Sequence, residues 1–254
     1  MSNPESVWDG VLGHAMAPPV PMHGAGDAAF ELVGARPASG RCAPRRPPGR
    51  GGDALAASAS GQVQRPLTIL FSDLTSSVGL SAELDWQTYV QMLRGLRDVF
   101  RATVACHGGT IVRMQGDGML AIFGPPDSEG SAGYHAIRCA LDLHRAVFSI
   151  SPGANGQPCT ALHSGIYAGL TYVETGDMER GRYDLVGSAP SLASRLSDLA
   201  GRDGILVAEQ VIAPRLEDFK VSERLALAVK GWPNTLCAYR VLGLSHNGMH
   251  PQKW

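Results

Sequence analysis

Two aspartates, each placed where an apolar run breaks, are the residues of this 254-residue chain best suited to chemistry. Asp73 closes the run Leu67-Thr68-Ile69-Leu70-Phe71-Ser72. Asp117 sits in Gly116-Asp117-Gly118, between Thr110-Ile111-Val112-Arg113-Met114 and Met119-Leu120-Ala121-Ile122-Phe123. If those runs are neighbouring strands, two carboxylates emerge together at one end of a sheet, beside a glycine-rich bend. Hard divalent cations take oxygen ligands, and Mg²⁺ is commonly held by one or two carboxylates together with substrate phosphates. Two cations held this way can activate an attacking hydroxyl and neutralise a leaving phosphate. A Gly-Asp-Gly turn alone is an ordinary turn, because both residue types tolerate unusual backbone angles. The strand-terminal Asp73 is what turns it into a candidate metal site.

The elements that must position this pair follow from periodicity. Residues 67–72 read as a strand buried on both faces. Asp85 can cap a helix carrying Tyr89, Leu93, Leu96, Phe100 and Val104 at spacings of four and three, ending near His107-Gly108-Gly109. A hairpin over 110–115 and 119–123 turns on Gly116-Asp117-Gly118. A second helix spans 129–149, with Ile137, Ala140, Leu141, His144 and Phe148 on one side. A strand pair is expected over 159–168 and about 170–186, with a loop from Gly176 to Gly181. Leu192, Leu196 and Leu199 mark a third helix, 205–208 a short strand, and 225–230 with 236–242 a final antiparallel pair. This order predicts an α+β fold with a ferredoxin-like βαββαβ core and C-terminal additions. Such a sheet has helices on one face and leaves the other free for a partner.

The stretch 1–65 is rich in Pro, Gly, Ala and Ser and lacks sustained periodicity, so it reads as a flexible extension, with Val7, Trp8, Val11 and Leu12 as one candidate helical turn. Residues 66–243 make one domain, and 244–254 a tail. A net charge of -1 without a basic stripe argues against nucleic acid as partner. No apolar stretch is long enough to span a membrane, and the N-terminus lacks a secretory core. The 5 cysteines form no CxxC pair, which suits reduced thiols in a cytoplasmic protein.

Four blocks, in order, resemble the class III nucleotidyl cyclase catalytic domain. They are Phe71-Ser72-Asp73-Leu74, Gly108-Gly109-Thr110-Ile111-Val112 leading into Gly116-Asp117-Gly118, the run Val186-Gly187-Ser188-Ala189-Pro190-Ser191-Leu192-Ala193-Ser194-Arg195-Leu196, and Val229-Lys230-Gly231 with Tyr239-Arg240-Val241-Leu242-Gly243. The resemblance implies that a ribose 3′-hydroxyl attacks the α-phosphate of a nucleoside triphosphate, giving a 3′,5′-cyclic nucleotide and pyrophosphate. It implies two Mg²⁺ or Mn²⁺ ions per site, held by Asp73 and Asp117. It also implies a head-to-tail homodimer whose interface forms the site, so that an isolated chain is inactive.

On the same resemblance, Arg195 steadies charge on the α-phosphate, Asp184 reads an adenine amino group, and Lys230 faces the triphosphate. Each has a plain alternative: an arginine snorkelling off its helix, a polar edge residue, a solvated lysine. Three departures stand out. Arg113 replaces a lysine that contacts adenine, Ser191 replaces the asparagine that orients the ribose, and Ser76 and Val78 replace glycine and threonine in the phosphate loop. ATP is the expected substrate, with GTP or a pyrimidine triphosphate as alternatives. The rival class is a weakened cyclase-like module that senses nucleotide or dimerises, and a second, different cyclase chain could complete the site. His163, His135 and His144 are assigned no role.

Overall fold

A computed structural model describes residues 62–75, 77–125, 129–147, 150, 160–174 and 184–245 of the chain. The candidate turn at 7–12, Phe148, Ser76, the expected loop at 176–181 and the end of the tail lie outside these residues.

In chain order the elements are β1 (Gln62–Leu74), α1 (Ser77–Glu83), α2 (Trp86–Cys106), β2 (Thr110–Gln115), β3 (Gly118–Ile122), α3 (Ser131–Val147), β4 (Leu162–Glu174), β5 (Asp184–Val186) and α4 (Ser188–Ala200). Then come β6 (Ile205–Ala208), a short α5 (Glu209–Ile212), a 3₁₀ turn (Ala213–Asp218), β7 (Phe219–Val221), β8 (Leu225–Leu227) and β9 (Leu236–Leu244). The strands join in one sheet ordered β2-β3-β1-β4-β6-β9-β7, with β5 beside β4 and β8 beside β9. Its β2-β3-β1-β4 portion is antiparallel throughout, as a ferredoxin-like α+β core requires. Beyond it, β6 adds in parallel to β4, and β9 returns antiparallel to β6.

Local chemistry explains the elements nearest the aspartates. Asp85 caps α2, its Oδ1 accepting from the Gln87 and Thr88 amides at 3.0 Å. The helix buries Met92, Leu96, Phe100 and Val104 and stops at Gly108, whose φ of 71° lies in the left-handed region. Helix α1 was not expected from periodicity. Strand β1 runs back to Gln62, pairing with Glu174, and so takes in Pro66. That proline is tolerated because β3 has already ended at its level: Thr68, two residues on, donates to the Gly124 carbonyl.

Three expectations need correcting. The pair 159–168 and 170–186 is instead a single strand, β4, running unbroken through Gly169, with β5 pairing against its far end. Gly169 is not a turn residue; a Cβ there would stand 3.2 Å from the Ala189 Cβ, so the glycine admits α4. Second, the sheet does not leave one face free. Side chains alternate along β1, so Leu67, Ile69, Phe71 and Asp73 share one face while Leu70, Ser72 and Leu74 share the other. Leu70 and Leu74 pack with Phe100, Ile137 and Leu143 of α2 and α3. Leu67 and Ile69 pack with Ala189 and Ala193 of α4, on the opposite face. Helix α4 lies so close that a Cβ on Gly165 would collide with the Ala193 carbonyl and Ser197 amide. Third, Leu199 points outward, 45% exposed, and Ala189, Ala193 and Ala200 take up the inner face with Leu192 and Leu196.

Candidate active site

The β1–β3 register sets Ser72 opposite Met119, which brings Asp73 alongside Gly118 at the mouth of the β2–β3 hairpin. The Asp73 carboxylate lies directly over that glycine: a Cβ on Gly118 would be 3.0 Å from Oδ1. Oδ1 accepts from the Leu74 amide at 3.0 Å. Asp117 is the second residue of the hairpin's two-residue turn, closed by Gln115 and Gly118, and Gly116 takes its φ of 61°. The two carboxylates anticipated from sequence are therefore neighbours. Burial first, and then the charge of Asp117, push the Asp73 carboxyl above its ordinary value, with Asp198 adding to the effect; the Leu74 amide and His163 oppose it. Burial and then Asp117 also push the Tyr89 hydroxyl on α2 upward.

Whether this spot suits a cation can be judged from its oxygens. Asp117 Oδ2 is buried and has no hydrogen-bond partner among the described residues. An orphaned carboxylate oxygen beside a second crowded carboxyl is costly unless something positive joins them. A hard divalent ion fits that description. Among the described residues no group of three or more His, Cys, Asp or Glu could hold a metal. The chain would thus supply two carboxylates and leave the remaining positions to phosphate oxygens and water, as Mg²⁺ sites do. Thr75, in the loop after Asp73, adds a buried hydroxyl without a partner.

The other expected residues sit on other elements. Ser191 and Arg195, four apart, share an exposed face of α4, and Arg195 stands 3.8 Å from Asp198 on the same helix. Arg113 is exposed on β2 beside a bulge, opposite Leu120, which in turn lies opposite Phe71. Asp184 begins β5 and pairs with Glu174, at the far end of β4 from His163, the residue opposite Asp73. Eleven residue steps along β4 separate those rungs, roughly 36 Å at about 3.3 Å per residue. Lys230 is exposed between β8 and β9, beyond the Ala208 end of β6, which is again the end remote from Asp73. One chain therefore brings Asp73 and Asp117 together and keeps Asp184 and Lys230 away from them.

Two histidines assigned no role on sequence are tied in beside Asp73. His163 Nδ1 donates to the Ser197 carbonyl at 2.9 Å, clamping β4 to α4. On the opposite face His144 bridges Asp203 through Nδ1 and Ser164 Oγ through Nε2, both at 2.9 Å, and Ser164 Oγ meets Ser72 Oγ at 2.7 Å. This hydrogen-bonded chain, buried except at Asp203, fastens α3, β4, β1 and the loop after α4 behind Asp73. Burial pulls the His144 pKa down, against the raising effect of Asp203. Its two partners come from β4 and the loop after α4, so no spacing in the sequence could have revealed it.

Comparison with known proteins gives these positions a context. The family model "Adenylate and Guanylate cyclase catalytic domain" matches residues 60–243. Adenylate cyclase 1 of Rhizobium meliloti (strain 1021) is 28% identical over 186 residues, covering 71% of this chain and 28% of that protein. A uridylate cyclase of Rhodovulum sp. (strain MB263) is 28% identical over 150 residues, 55% of this chain and 61% of its own length. The chain thus spans less than two thirds of these relatives. Among solved structures, the guanylyl cyclase Cya2 superposes with a TM-score of 0.65 at 26% identity, over 73% of this chain and 96% of that one. The adenylyl cyclase CyaB from P. aeruginosa superposes with a TM-score of 0.66 at 21% identity, over 73% and 97%. No described helix is long and apolar enough to cross a membrane.

Proposed function

The chain belongs to the adenylate and guanylate cyclase catalytic domain family, and from that premise we propose that it cyclises a nucleoside triphosphate, preferentially ATP, at the interface of two copies of itself. The observation that carries this reading is the distribution of residues over the sheet. Asp73 and Asp117 converge at one end, whereas Asp184 and Lys230 lie at the other. A nucleotide cannot span that distance within one chain. A head-to-tail partner supplies the missing half by symmetry. Exposed Leu170, Tyr172 and Val186, on the arm where β5 meets β4, offer apolar surface for such a contact.

Two Mg²⁺ or Mn²⁺ ions held by Asp73 and Asp117 would activate the ribose hydroxyl and neutralise the departing pyrophosphate. Arg195 of the other copy, permanently charged and planar, would steady charge on the α-phosphate. Ser191, one helical turn before it, would orient the ribose from the same exposed face. Lys230 would neutralise the phosphates as a point charge, while Asp184 accepts from the base amino group and Arg113 donates to the ring. A second-messenger role in the cytoplasm, where thiols stay reduced, belongs to the same proposal.

Purified protein incubated with ATP, GTP, CTP or UTP and Mn²⁺ should yield cyclic product well above an Asp73→Asn/Asp117→Asn double variant. Absence of product from every substrate would refute the enzyme reading and favour a nucleotide-sensing or dimerising module. Mixing Asp73→Asn with Arg195→Ala chains should restore about one quarter of wild-type turnover, since half the dimers then hold one intact site of two. No recovery would place each site within a single chain. A pyrimidine is the second reading on the base: Arg113 carries only donors and uracil presents two carbonyl acceptors, and two uridylate cyclases are among the relatives.

A further inference from the structure

Beyond the two carboxylates, the hairpin tip that carries Asp117 is gripped from outside. In a two-residue turn the carbonyl between the two turn residues has no partner in the strand ladder, and the peptide plane holding it is the part free to flip. Here that carbonyl belongs to Gly116, and Arg97 of α2 donates to it from Nη2 at 3.0 Å. The arginine is anchored on a rigid support, because its neighbour Leu96 is 1% exposed and Phe100, one turn on, is fully buried. Its Nε is buried with no hydrogen-bond partner. An unsatisfied guanidinium N–H and an unsatisfied Asp117 Oδ2 thus flank the same turn. The same helix also sends Tyr89 towards Asp117, which shifts the tyrosine hydroxyl upward after burial does. Nothing in helical periodicity requires a charged residue at position 97, whose surroundings are partly buried.

We infer that Arg97 is a positioning residue for the metal site: by holding the Gly116 carbonyl it fixes the Gly116–Asp117 peptide plane and so presents the Asp117 carboxylate to Asp73. This rests on the metal reading proposed above, but the turn-fixing half is independent of it. Flipping that peptide would change the direction in which the Asp117 Cα–Cβ bond leaves the turn, and the pair of carboxylates would no longer face a common point. The guanidinium acts through the backbone, touching neither metal nor substrate. A single donor performs the task, so lysine should substitute where methionine cannot.

The test uses the full chain as the wild type, Arg97→Met, Arg97→Lys and Asp73→Asn/Asp117→Asn, with Mn²⁺ alone as probe. Methionine keeps the apolar stem and removes the donors. Binding of Mn²⁺, followed by its electron paramagnetic resonance signal, should weaken by about 10–100-fold in Arg97→Met and recover most of that in Arg97→Lys, the usual range for a residue supporting a metal ligand. Hydrogen–deuterium exchange should rise in Arg97→Met in the segment covering 115–118 and nowhere else. Unaltered exchange at the turn, or a general loss of protection with unaltered Mn²⁺ affinity, overturns the inference and leaves the metal reading standing. Wild-type Mn²⁺ binding no stronger than that of the double-aspartate variant overturns both.

Discussion

Gly118→Ala separates the needs of the fold from those of the site. The added methyl carbon would lie 3.0 Å from Asp73 Oδ1, 3.3 Å from its Cγ and 3.5 Å from the Gln115 carbonyl. A comfortable carbon–oxygen contact begins near 3.4 Å, so the carboxylate must retreat by about 0.4 Å, by rotation or by a small shift of β1. Gly118 does not have a positive φ, so alanine meets no backbone strain. Removing glycine's freedom from the unfolded chain stabilises by about 0.4–1 kcal/mol, which offsets the crowding. Net stability should stay within about 1 kcal/mol of wild type, a melting shift of less than about 4 °C for a domain of this size.

Metal chemistry is less forgiving. Mg²⁺ demands near-ideal octahedral geometry at about 2.0–2.1 Å, so a displacement of about 0.4 Å is a fifth of the bond length. Misplacement by about 1 Å costs roughly 100-fold in rate, and on a logarithmic scale about 0.4 Å costs roughly 6-fold. The assay is Mg²⁺-supported cyclic nucleotide formation, titrated in metal, alongside a thermal melt. Turnover reduced several-fold with a raised metal requirement and an unchanged melt is the expected result. Wild-type turnover and metal dependence would refute the placement of Asp73 at the reaction.

Three further perturbations follow from the same geometry. Asp73→Asn should abolish turnover yet raise the melting temperature of the metal-free protein: the wild-type folded state holds this proton more tightly than the unfolded chain, so its carboxyl costs stability as pH rises above the ordinary value of 3.8, and the amide does not. For His144 the sign is reversed, because its folded pKa is lowered from 6.5; the unfolded chain takes up the proton first, so stability should fall as pH drops below about 6.5, and a His144→Gln variant, less stable at pH 7, should lose that part of the slope. Gly165→Ala should destabilise by more than about 3 kcal/mol in chemical denaturation, because the new methyl meets the α4 backbone rather than a side chain that can move.

What the sequence made legible was local. The Asp85 cap, the four-and-three spacing of α2 and the turn at Gly116-Asp117 each declare themselves within a few residues, and each stands where expected. The pairing of Asp73 with Asp117 was legible for a related reason: both end apolar runs, and adjacent β1 and β3 make such ends meet. Glycine misled in the opposite direction. Gly169 reads as a break between two strands, yet it and Gly165 let α4 approach the sheet, a cause that lies some twenty to thirty residues further along the chain. The same limit hid the second covered face of the sheet. Charged residues divide likewise. Asp184 and Lys230 are expected, on the resemblance, in the other subunit's half of the site, and the separation that register puts between them and Asp73 within one chain could not be read from spacing alone. Arg97 and His144 meet Gly116, Ser164 and Asp203 only across tertiary contacts. Candidate metal ligands can be marked by the strand ends they occupy. Those that hold them in place carry no such mark, because backbone carbonyls and buried hydroxyls accept whichever donor the fold delivers.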